Sequence, residues 1–105
     1  MSIRREKLTK LLKEEIAEIL REAHDPRLAM VVITRLDLSK DGKHAKVYFT
    51  TIPEGVEKDA EKALNAAEGY IRSLLLRRLS LKFVPHLTFK FDVELKQLEK
   101  LWEKL

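Results

Sequence analysis

The chain has 105 residues, 45% of them hydrophobic, and no cysteine. That is enough for one core and leaves no thiolate metal site, disulfide or thiol nucleophile, which fits a reducing, cytoplasmic setting. Twenty-one Lys and Arg against 17 Asp and Glu give a net charge of +4. Apolar runs such as Ala29 to Ile33 and Leu74 to Leu76 are far short of the roughly 20 residues of a membrane span. The charged start from Met1 to Lys7 has no apolar stretch behind it and is not expected to act as a secretory leader. A single soluble domain over residues 1–105 is expected.

Apolar residues at Leu8, Leu11, Leu12, Ile16, Ile19, Leu20 and Ala23 form one helical stripe, predicting a helix over residues 3–23 with Ser2 as its N-cap. His24-Asp25-Pro26-Arg27 ends it, because the residue before a proline leaves the α region; Asp25 is suited to accept from local backbone amides. Met30 to Leu38 and then Ala45, Val47 and Phe49, alternating with polar residues, predict two strands. The Asp41-Gly42 pair between them supplies a hairpin turn. A second helical pattern begins at Val56 and runs through Ala60, Ala63, Leu64 and Ala67 to Ile71, Leu74, Leu75 and Leu79. Gly69 interrupts it, at about 1 kcal/mol against alanine, so two helices meeting at a bend are expected there. Leu87, Phe89, Phe91 and Val93 alternate with polar residues as a strand buried on one face. Leu95, Leu98, Trp102 and Leu105 complete the chain as an amphipathic helix at 94–105, with Trp102 expected to cover apolar surface beside the sheet. The fold class is α+β: a three-stranded sheet with helices packed on one face.

Charge is sorted along this order. Residues 1–13 carry five bases and one acid, and residues 70–93 again five bases and one acid; residues 14–25 and 53–69 are net acidic. Clustered cations suit a polyanion, whose counterions are released only where several bases face it together. The helix after the bend offers Arg72, Arg77 and Arg78, with Lys82 beyond it, and the first helix offers Arg4, Arg5 and Lys7. The same residues also serve as the solvated sides of helices with apolar cores. His24, His44 and His86 show no ligand spacing for a metal. Ser39, Ser73 and Ser80 have no histidine placed as a base, so no catalytic residue is indicated. Tyr48 lies on the polar side of its strand and could stack on a base, although packing within the fold also accounts for it.

The order of elements is similar to a type II KH domain. Asp25-Pro26-Arg27, Ser39-Lys40-Asp41, Ala45 to Tyr48, Leu64-Asn65, Ala67-Glu68-Gly69-Tyr70-Ile71-Arg72, Val84-Pro85 and Phe89 closely resemble the ribosome-binding factor A family over residues 3–92. Its most specific element is Ala67-x-Gly69, an Ala-x-Gly kink where most KH domains carry Gly-x-x-Gly. The resemblance implies a non-catalytic RNA-binding factor, without cofactor or small-molecule substrate. It would act as a monomer on the small ribosomal subunit and its 16S-type RNA during late maturation. Ala67, Glu68, Gly69, Arg72, Arg77, Arg78, Lys82, Arg4, Arg5, Lys7 and Arg27 are the implied contacts. Glu68 departs from the pattern by placing an acid where phosphate would be repelled. An engineered, ancestral or designed KH-like scaffold without a native partner, and a protein-interaction module acting through the last helix, are the alternative readings.

Overall fold

In a computed structural model that describes residues 3–105, the elements run α1 (Ile3–Glu22), α2 (Pro26–Ala29), β1 (Val31–Leu38), β2 (His44–Thr51), α3 (Glu57–Ala66), α4 (Glu68–Leu79), β3 (His86–Phe91) and α5 (Val93–Glu103). The proposed cap Ser2 lies outside the described residues. One element was absent from the sequence reading. Asp25 Oδ1 accepts from the Arg27 amide at 2.9 Å, and with Pro26 at its first position a single helical turn forms before β1.

The sheet is mixed. β2 is its centre, antiparallel to β1 and parallel to β3. Gly42, at φ 72°, turns the β1–β2 hairpin, as the Asp-Gly pair requires. Ala45, Val47 and Phe49 of β2 and Leu87 and Phe89 of β3 face the helices and are buried with Leu12, Ile16, Ile19 and Leu20 of α1. His44, Lys46, Thr88 and Lys90 lie exposed on the opposite face, so the helices cover one side of the sheet only.

The long helical pattern breaks two residues before Gly69. At Ala67 the backbone sits at φ −91°, ψ 2°, and its N–H donates to the Ala63 and Leu64 carbonyls at 3.0 and 3.1 Å. Regular bonding resumes at Ile71 N–H, which donates to Ala67 at 2.9 Å. Alanine is the best helix former, so tertiary contacts, not local propensity, place the break. Three side chains on one helical face hold it: Glu61 accepts from the Phe91 amide (3.1 Å), Asn65 accepts from Phe89 N–H (3.0 Å) and donates to its carbonyl (3.2 Å), and Glu68 accepts from Leu87 N–H (2.9 Å). These are successive outward-facing amides of β3, because the intervening ones point towards β2, as the bonds from His86 to Lys43 and from Asp92 to Phe49 show. With that ladder fixed, Ile71 and Leu75 turn into the core.

The last helix differs from expectation. The α5 stripe is not buried: Trp102 is 69% exposed and Leu105 89%. Among the described residues the helix is tied to the body at its start, where Asp92 accepts from Leu95 N–H (3.0 Å) and Thr34 Oγ1 (2.6 Å), Arg35 pairs with Glu94 (3.6 Å) and Lys96 pairs with Glu54 (2.8 Å). Tyr48 is on the open sheet face, with the Arg35 guanidinium 3.9 Å above its ring. That ring is already stacked.

Asn65→Ala leaves the N–H and C=O of Phe89 without partners and is expected to cost roughly 1–2 kcal/mol in urea unfolding. Burial of Asp92 opposes its charge, but the Thr34 and Leu95 hydrogen bonds and nearby Arg35 outweigh it and hold the carboxyl below its ordinary value. A depressed carboxyl stabilises fully above the unfolded value of about 4 and loses its contribution as pH falls through the folded value. Asp92→Asn is therefore expected to flatten the stability profile below about pH 4 while lowering stability at neutral pH.

Candidate nucleic-acid interface

The break at Ala67 exposes the start of a twelve-residue helix. Among the described residues, the amides of Glu68, Gly69 and Tyr70 make no backbone hydrogen bond across it, the pattern of a helix N-terminus open to an anion. Gly69 leaves the backbone bare: a Cβ built there meets nothing within 4 Å. Its role is therefore separate from the break, which occurs at Ala67.

Around Gly69 a cleft of about 340 Å³ is lined by Arg72, Ser73, Leu76, Lys82, Phe83 and Val84. Arg72 is oriented from two sides, by Glu68 (Nε to Oε2, 3.3 Å) and by the His86 ring (2.9 Å). The acid that would repel phosphate is thus turned to the β3 backbone and to Arg72, with only 19% of its side chain exposed. Lys82 and Phe83 are exposed on the loop between α4 and β3, Phe83 at 54%. Phe83 was missed in sequence because it adjoins the apolar Val84, and only the buried valine belongs to the core. An exposed aromatic beside two cations and a bare backbone can stack a base while its phosphate is held.

The other sequence candidates lie elsewhere. Arg78 joins α4 to α1 through Glu22 (2.6 Å) and Glu15 (3.3 Å), which raise its pKa further, the Glu22 bond contributing most. Arg27 is bound by both oxygens of Asp25 at 3.1 and 2.8 Å; that hydrogen bonding in turn holds the Asp25 carboxyl below its usual range. Arg5 donates to the Leu38 carbonyl at 2.7 Å and to that of Ser39. Arg77, Arg4 and Lys7 are exposed and do not line the cleft. Gly69, Arg72 and Lys82 are the sequence-predicted residues that converge. His44 and His86, far apart in sequence, stack at 5.8 Å across β2 and β3. Among the described residues no group of three or more His, Cys, Asp or Glu is placed to hold a metal ion, and no helix is long and apolar enough to cross a membrane.

The sequence model of the family described as ribosome-binding factor A matches residues 4–105. Ribosome-binding factor A of Coxiella burnetii is 35% identical over 102 residues, covering 96% of this chain and 86% of that protein. Its counterpart in Natranaerobius thermophilus is 44% identical over 92 residues, covering 86% and 70%. Among solved structures, the crystal structure of ribosome-binding factor A from Thermus thermophilus superposes with a TM-score of 0.74 at 34% identity, covering 81% of this chain and 91% of that one. A Thermus thermophilus homology model fitted into the cryo-EM map of a complex with 30S superposes at 0.68 and 34% identity, covering 79% and 89%.

Because Arg78 neutralises two carboxylates, Arg78→Glu would gather three acids between α1 and α4. It is expected to lower the midpoint of thermal unfolding, whereas Arg77→Glu, on an exposed side chain, is expected to leave it nearly unchanged.

Proposed function

As the chain belongs to the ribosome-binding factor A family, we propose that it is a non-catalytic cytoplasmic factor that binds the small ribosomal subunit through its RNA and assists late maturation. The single observation that carries this reading is the cleft at the start of α4, where Gly69, Arg72 and Lys82 come together beside unbonded helix amides. The likeness to a protein fitted into a 30S complex supports the small subunit as the source of that RNA. Phosphate would sit against the bare backbone and the two cations, and Phe83 would contact a neighbouring base. The mechanism is mass action. A factor that prefers one RNA conformation shifts the population by its differential affinity and does nothing to the covalent chain.

The protein acts as a monomer in this reading. The stripe of α5 is open, but eleven residues are too few for a stable coiled pair.

Co-sedimentation with immature and mature small subunits tests the proposal, with preferential binding to immature subunits expected. Contact with about four to six phosphates gives a log–log salt slope of roughly −3 to −5. Arg72→Glu with Lys82→Glu should reduce binding at least tenfold and flatten that slope. Gly69→Ala separates binding from folding: its Cβ has room and alanine favours the helix by about 1 kcal/mol, so stability should hold or rise while affinity falls. Undiminished binding by both variants would remove the cleft from the interface.

A further inference from the structure

The two edges of the sheet are treated differently. On β3, the outward amides of Leu87, Phe89 and Phe91 are each taken by a helix side chain, which blocks a further strand from adding there. β1 is the opposite edge. Ser39 N–H donates to His44 (2.8 Å), and with the antiparallel register of Asp37 to Lys46 this fixes the alternation: the main-chain groups of Leu36 and Leu38 point away from β2. Arg5 occupies the Leu38 carbonyl. Among the described residues nothing accepts the N–H of Leu36 or of Leu38.

This edge forms one wall of a groove of about 650 Å³, whose other wall is the face of α1 carrying Glu6, Thr9, Lys10 and Lys13. Lys10 is held only loosely, 4.0 Å from Glu14 with 79% of its side chain exposed, and Lys13 has no partner among the described residues. Asp37, on the strand side, is paired with Arg35 at 3.4 Å. The groove therefore combines unmet strand hydrogen bonds with two available cations spaced about 4.5 Å apart along the helix axis. An RNA backbone would satisfy the cations but has no repeating amide ladder to match the strand. An extended acidic peptide satisfies both.

We propose that the groove between α1 and β1 binds an acidic peptide segment of a protein partner by strand addition to β1, a surface separate from the cleft at Gly69. Main-chain bonds at Leu36 and at the Leu38 N–H would set the register, the Leu38 carbonyl being already held by Arg5, and carboxylates facing α1 would meet Lys10 and Lys13.

The probe is a fluorescein-labelled, acetylated hexapeptide of alternating Glu and Val, titrated by anisotropy against the full chain, with amide hydrogen exchange followed at Leu36 and Leu38. Expected are saturable binding, at least tenfold slower exchange at both amides, and at least tenfold weaker binding by Lys10→Glu/Lys13→Glu. The same charge change at exposed Lys58 and Lys62 should alter affinity by less than twofold, and both double variants are checked for unchanged circular dichroism. A peptide of identical charge, N-methylated on the amides that would face β1, should bind at least tenfold more weakly. Equal binding by the methylated peptide would mean charge attraction alone and overturn strand addition. Unchanged exchange at Leu36 and Leu38, or displacement of the peptide by single-stranded RNA of equal charge, would overturn the proposal as well.

Discussion

The ladder from Glu61, Asn65 and Glu68 to the backbone of β3 fixes the rest of the molecule. A parallel edge strand carries outward amides that must find partners or remain open to another chain. Here the partners come from two successive helices, so the same hydrogen bonds that close the sheet also set where α3 and α4 lie. Asn65 is held through both ends of its amide. Glu68 is held by Leu87 and then orients Arg72. The structural edge and the candidate interface are thus one continuous set of contacts.

That continuity gives a physical meaning to the residues at the break. Ala67 takes the non-helical conformation, Glu68 anchors the start of α4, and Gly69 leaves the backbone uncovered. Three adjacent residues divide geometry, anchoring and access among them. Charge is divided in a similar way. Arg78, Arg27 and Arg5 are taken up by Glu15 and Glu22, by Asp25, and by main-chain carbonyls. Much of the clustered basic charge is therefore spent within the fold, and the net charge of a segment is a poor guide to which cations face a ligand.

Asp92 has the corresponding role at the other end of the sheet. Its carboxylate joins the irregular pairing at Thr34 of β1 to the start of α5. α5 is consequently attached by its first turn, while Leu98, Leu101 and Trp102 remain in solvent. A local periodicity that would suit a covered helix does not by itself supply anything to cover it.

What the sequence determined was whatever depends on neighbours along the chain. Periods of 3.6 and 2 placed α1, α3, α4 and the three strands, the Asp41-Gly42 pair placed the hairpin, and the Ala67-Glu68-Gly69 run marked the family. Gly69, Arg72 and Lys82 were legible as candidate site residues because their chemistry is local, and they line one cleft. Decided only in three dimensions were the parallel pairing of β3, the break at Ala67 instead of Gly69, the inward turn of Glu68, the exposure of Phe83 and the emptiness around α5. Each of these depends on which distant backbone group a side chain can reach, or on whether a second surface lies opposite, and neither is encoded in the spacing of residues along a single chain.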